Sequence, residues 1–236
     1  MPRVALAEVA STSGSAPAGR LRLGPLENPV RGLLHGSASL AAAGLAVYLF
    51  AFADGSQAGR RVLLVCALSH FALYLTSSLY HCLPWGPRAK ARMQRLDHSM
   101  IYLGIAGLLT PIVWLGMDDW RGGVLLGAAW GIALAGSLQK LCFPRLPEKA
   151  SIPVQVLEAC LVLPALLPFA ERYPAPALGL VGIGAGFYLA GALCFVAERP
   201  RLWPRVFSFH ELFHLCTLAG SAAFFVLLVR YLARGA

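Results

Sequence analysis

Apolar residues gather into seven long runs that begin near residue 30 and recur to the C-terminus. A helix needs roughly 20 apolar residues to cross the hydrocarbon core of a bilayer. The runs that meet this length are residues 30–52, 60–84, 97–117, 120–140, 151–170, 175–197 and 208–233. Pro, Gly and charged residues fill the gaps, as in Leu83-Pro84-Trp85-Gly86-Pro87-Arg88 and Glu198-Arg199-Pro200-Arg201. Little more than Asp118-Asp119 separates the third run from the fourth, which predicts a tight hairpin. The pattern predicts an all-α integral membrane protein, a seven-transmembrane helix bundle over residues 27–236. Residues 1–26 are rich in Ala, Ser and Gly and lack an apolar stretch, so they read as a disordered cytoplasmic tail and not as a signal peptide.

Composition agrees with this reading. Hydrophobic residues make up 58% of the 236 and charged residues only 13%, with a mean hydropathy of +0.65. A soluble domain carries roughly 25% charged residues, so this chain lacks the polar surface that water demands. The net charge of +9 is not gathered on an aromatic-interleaved basic face, which argues against nucleic acid and leaves the lipid bilayer as the partner.

The basic residues sort by side instead. Arg3, Arg20, Arg22, Arg31, Arg88, Lys90, Arg92, Arg95, Lys140, Arg145, Lys149, Arg199, Arg201 and Arg205 fall on the side of the N-terminus. Arg60, Arg61, Arg121, Arg172, Arg230 and Arg234 fall on the other. The positive-inside rule then predicts a cytoplasmic N-terminus and an outside C-terminus. The six cysteines form no CxxC and mostly lie inside apolar runs, so they read as packing residues.

Ionisable side chains within spans are costly and point to function. The alternating spans bring several to one level of the membrane. His81 ends the second span, Asp97-His98 opens the third, His210-Glu211-Leu212-Phe213-His214 opens the seventh, and His35 lies near the start of the first. His210 and His214 are i,i+4, so their rings stand about 6 Å apart on one helix face and can share a cation. His81 offers a third nitrogen. Three protein ligands plus water form an open catalytic site, in which zinc lowers the pKa of the water to about 7. Asp97 can orient or deprotonate that water, and Ser77, one turn before His81, can bond it or a ligand.

Other residues keep two readings each. HELFH satisfies the HExxH pattern with Glu211 as general base, or Glu211 serves the helix start. His70 faces the same way as His81 about 16 Å deeper, lining a cavity or bonding a backbone carbonyl. Glu158, in the middle of the fifth span, is a cavity residue or a helix–helix hydrogen bond. No span shows the repeating polar stripe that an ion pathway needs, and no GxSxG, phosphate loop or dinucleotide fingerprint is present.

These segments resemble the haemolysin III family. The resemblance is carried by Ser77-Ser78-Leu79-Tyr80-His81, by Arg95-Leu96-Asp97-His98 with Ile101-Tyr102 and Ile105-Ala106-Gly107, and by Trp203-Pro204 followed by Phe209 to His214. It covers about residues 27–233. The family is grouped with the adiponectin and progestin receptors and the alkaline ceramidases. It implies seven helices, a cytoplasmic N-terminus and a zinc ion held by three histidines: His81, with Ser77 before it, and the pair His210 and His214, with Asp97 beside them. His35-Gly36 resembles the His-Gly of the first helix in bacterial members, which implies a bacterial cytoplasmic (inner) membrane. Glu158-Ala159-Cys160 stands where bacterial relatives carry Met-Gly-Trp.

The expected function is a zinc-dependent membrane hydrolase of lipid amides, ceramidase-like, with a membrane lipid as substrate. The alternative is a non-enzymatic receptor-like or membrane-homeostasis protein with structural zinc. An intramembrane HExxH metalloprotease ranks third.

Overall fold

A computed structural model describes residues 22–23, 26–143, 148–203 and 206–234. Most of the expected tail, residues 1–21, lies outside the described residues. Arg22–Leu23 and Leu26–Glu27 pair as a minimal antiparallel hairpin directly before the first helix.

Seven helical segments are long and apolar enough to cross a membrane. They are α1 (Pro29–Phe52), α2 (Gln57–Cys82), α3 (Pro87–Gly116), α4 (Trp120–Cys142), the pair α5 (Ile152–Cys160) and α6 (Leu166–Arg172), α7 (Ala175–Ala197) and α8 (Phe209–Leu227). Helix α8 continues through a π-helical turn, Leu228–Leu232. Large apolar side chains such as Leu40, Phe50, Leu138 and Leu193 point outward, as lipid contact requires. The chain is an integral membrane protein.

Two elements differ from the expected spans. Helix α3 begins at Pro87, ten residues before the third apolar run, because Pro at the first helical position and the helix formers that follow extend it past the hydrocarbon. Hydropathy marks where the lipid is, not where the helix starts. The fifth span is not one helix. Pro164 has no N–H and its ring opposes the carbonyl of Cys160, so α5 stops there and a 3-10 turn, Leu163–Ala165, leads into α6.

Sequence neighbours pack side by side, and α8 closes back on α1. Glycine decides how closely. A Cβ on Gly32 would lie 2.0 Å from Cys82 Sγ, and one on Gly36 would lie 3.0 Å from Ser78 Oγ. This Gly-xxx-Gly face lets α2 settle against the α1 backbone, and Ser78 Oγ donates to Gly32 O at 2.8 Å. At the far end an apolar cluster including Leu49, Leu63, Ile112, Phe169, Leu227 and Leu232 joins α1, α2, α3, α6 and α8. The Asp54 amide donates to Ala233 O at 2.8 Å, tying the α1–α2 turn to the end of α8. The tight hairpin is present, three residues long between α3 and α4. At the histidine end Lys90 Nζ reaches Glu27 Oε2 and Tyr80 O, each at 3.0 Å, and pins the start of α3 to the end of α2.

Candidate metal centre

Along α2, residues 70, 74, 77 and 81 recur at helical spacing as His70, Tyr74, Ser77 and His81, all buried. Along α8, His210, His214, Thr217 and Ser221 repeat the same spacing. Contrary to expectation, two spans therefore carry polar stripes, and the stripes meet along one seam. The hydroxyls of Tyr, Thr and Ser are masked within runs whose average is apolar.

The three imidazoles meet at one end of that seam. His81, His210 and His214 each present a ring nitrogen, and these nitrogens all lie within 4.8 Å of one another. Ring centroids are 5.6 Å apart for His81 and His210, and 5.0 Å for His81 and His214. His210 and His214, one turn apart on α8, are also 5.0 Å apart and nearly parallel. The spatial expectation is met: imidazoles from two helices distant in sequence converge.

The donor set fits a cation. His214 Nδ1 lies 2.9 Å from His35 Nε2, which leaves His214 Nε2 as the nitrogen that faces the cluster. Three imidazoles suit zinc, copper, iron and nickel alike. His81 and His214 are buried and His210 is half-buried, so the centre opens on the His210 side.

Glu211 has other work. Its Oε1 accepts from Arg31 Nε at 2.6 Å, and its Oε2 accepts from the Ser208 amide at 2.8 Å. With Ser208 as N-cap, this is a capping box that starts α8. Both oxygens are engaged, which removes the free carboxylate that an HExxH protease requires.

Asp97 and Ser77 are both buried, and neither belongs to the 4.8 Å cluster. Ser77 stands one turn from His81 on the inward stripe of α2. His98, half-buried, lies on another face of α3.

Deeper in the seam the groups bond one another. Tyr74 Oη makes a short hydrogen bond with Ser221 Oγ, Ser221 Oγ lies 2.5 Å from Tyr188 Oη, and Tyr188 Oη lies 3.4 Å from His70 Nε2. His70 Nδ1 lies 3.0 Å from Cys66 O, so His70 is a buried histidine bonded to a backbone carbonyl. Glu158 is fully buried against α3, and neither carboxylate oxygen meets a hydrogen-bond partner among the described residues. All six cysteines are free thiols.

Arg31 and His35 are the residues whose roles the sequence concealed. Arg31 looked like one more topology charge, yet it is 7% exposed and faces Glu211. The available signal was their i,i+4 spacing on α1 at the level of the other histidines.

Residues 25–225 match the family described as haemolysin-III related. Hemolysin-3 of Bacillus cereus is 33% identical over 167 residues, which span 71% of this chain and 73% of that protein. The Hemolysin-3 homolog of Bacillus subtilis (strain 168) is 27% identical over 207 residues, 87% of this chain and 94% of the relative. Such relatives place the protein in the bacterial cytoplasmic (inner) membrane.

Proposed function

The chain belongs to the haemolysin-III-related family, and from that premise we propose that it is a zinc-dependent membrane hydrolase of lipid amides, of ceramide type. The observation that carries the reading is the convergence of His81, His210 and His214 within 4.8 Å at one end of a membrane bundle. Zinc held there supplies acidified water and a polarised substrate carbonyl.

The chain's own residues have distinct parts. His81, His210 and His214 hold the ion. Asp97 accepts the proton released during attack, and Ser77 orients the reacting groups from the turn beside His81. Glu211 stays structural, bound to Arg31 and the Ser208 amide. The substrate's acyl chains lie in the bilayer against the outward apolar faces. With Lys and Arg concentrated at the histidine end, that end is cytoplasmic; labelling of a cysteine at Arg92 from outside intact cells would reverse the orientation.

The test is turnover. Purified protein loaded with zinc is presented with a panel of lipid amides and esters in detergent or vesicles. At least one amide is expected to be cleaved by the wild type and not by His210→Ala. No turnover across the panel by the wild type, with the variant indistinguishable from it, overturns the reading.

A second reading is a structural zinc in a non-enzymatic, receptor-like protein. It is favoured by the depth of His81 and His214, which are 4% and 2% exposed. It expects histidine variants to lose stability together with metal, while the wild type turns over nothing.

A further inference from the structure

His35 stands against the cluster without belonging to it. It sits on α1, 5% exposed, with its ring centroid 4.0 Å from that of His214 and 4.9 Å from that of Tyr74. His214 Nδ1 and His35 Nε2 are 2.9 Å apart. Two imidazole nitrogens at that distance share one proton, and where it belongs decides what His214 can bind.

If His35 donates, the neutral His214 carries its own proton on Nε2, and that nitrogen is no ligand. If His214 donates from Nδ1, its Nε2 is bare and faces His81 and His210. Thr217 Oγ1 also lies 3.5 Å from His35 Nε2, a longer contact than that to His214 Nδ1, and its hydroxyl donates to His214 O at 2.8 Å. A cation at the cluster therefore requires His35 Nε2 to act as the acceptor, with the His35 proton on Nδ1. That Nδ1 is buried with no hydrogen-bond partner among the described residues, so nothing on that side holds His35 in either form.

From this geometry we infer that His35 is a positioning residue for the metal centre, the acceptor that holds His214 in the one tautomer able to ligate. Metal-binding histidines usually donate their second N–H to a carboxylate, carbonyl or water. Here the acceptor is an imidazole from a third helix, so the centre draws on α1, α2 and α8. The inference rests on the metal reading above.

The experiment measures zinc affinity by competition with a chromophoric chelator, on full-length protein in detergent. His35→Phe keeps a ring beside Tyr74 and removes the acceptor; affinity is expected to fall roughly 10- to 100-fold. His35→Gln places an amide oxygen near the Nε2 position and is expected to stay close to wild type. His35→Asn reaches only the Nδ1 position and is expected to behave like Phe. The metal-free proteins are heated in parallel, and the Gln and Asn variants carry the test if Phe does not fold. Wild-type affinity in the Phe variant, or equal affinity in Gln and Asn, overturns the role of His35 alone. Absence of zinc binding by the wild type overturns the metal reading and this inference with it.

Discussion

Arg31 Nε stands 2.6 Å from Glu211 Oε1, joining the first turn of α1 to the first turn of α8 with both side chains 9% exposed. Breaking a buried pair by removing one partner leaves the other charge uncompensated, whereas replacing both with apolar residues is often neutral. Glu211→Gln is expected to lower stability by roughly 3 kcal/mol while zinc stoichiometry stays at the wild-type value. The double variant Arg31→Leu, Glu211→Leu is expected to lose less than either single leucine variant. Thermal unfolding in detergent, with metal analysis of the same samples, checks both. Loss of zinc with unchanged stability in Glu211→Gln would return Glu211 to the chemistry.

A close helix contact lies beside the centre. A methyl at Gly32 would sit 2.0 Å from Cys82 Sγ, next to His81 in the chain. Gly32→Ala is expected to cost about 1–3 kcal/mol through overpacking and to weaken zinc binding by shifting α1 from α2. Adding Cys82→Ala should restore part of both. Gly123, where a Cβ meets nothing within 4 Å, serves as the control: Gly123→Ala should be neutral or slightly stabilising. Equal losses at positions 32 and 123 would show that the loss does not come from the contact with Cys82.

These examples show where the sequence was informative. Span length needs only composition, so all seven spans were visible, and the i,i+4 pair His210 and His214 is written into any helix. The convergence of His81 followed from alternating spans. What stayed hidden depends on which face of a helix meets which neighbour. Arg31 faces inward because Glu211 is there to meet it, and no count of loop charges can show that. The Tyr74–Ser221–Tyr188 hydroxyls sit in runs whose mean hydropathy is high. The break before α6 was present as Pro164, but the averaged hydropathy of the fifth run passed over it.

At the opposite end of the bundle, Arg172 pairs with both oxygens of Asp118 and donates to Leu115 O, linking the α3–α4 turn to α6. The Arg172 hydrogen bonds hold the Asp118 carboxyl below its ordinary value of 3.8. A depressed carboxyl contributes stability above the unfolded value and loses it as pH falls through the folded one. Arg172→Ala should therefore be slightly less stable than wild type at pH 7, and the two should converge as pH falls through the depressed carboxyl value. The effect is small because Asp118 is exposed. Unfolding temperatures of both proteins across this range test it, and a gap that widens on acidification contradicts the pairing.

Ser221 is bonded by two tyrosines, Tyr74 and Tyr188, and is 2% exposed. Ser221→Ala removes the partner both hydroxyls share, leaving Tyr74 Oη the longer bond to Thr217 O at 3.3 Å and Tyr188 Oη the contact with His70 Nε2 at 3.4 Å, so a loss of about 1 kcal/mol is expected. Tyr188→Phe removes one of them, so the double variant should lose less than the sum of the singles. Zinc affinity should be unchanged, since Ser221 lies two turns from His214. A fall in affinity would make the seam part of the centre.

Helices α2 and α8 each pack on α1, and at this end they face each other through His81 on one side and His210 and His214 on the other. An ion held by all three would staple the two helices together. A ligand that binds only the folded state at 100 times its dissociation constant stabilises by about 2.7 kcal/mol. Chelation should therefore lower the unfolding temperature of the wild type, and zinc should restore it. His81→Ala, His210→Ala and His214→Ala should each unfold at the same temperature with and without zinc. The His81 variant decides most, because His210 and His214 alone can hold an ion weakly without joining the helices. A zinc-dependent rise that survives His81→Ala would mean that the ion sits on α8 only, and the three-histidine centre would have to be abandoned.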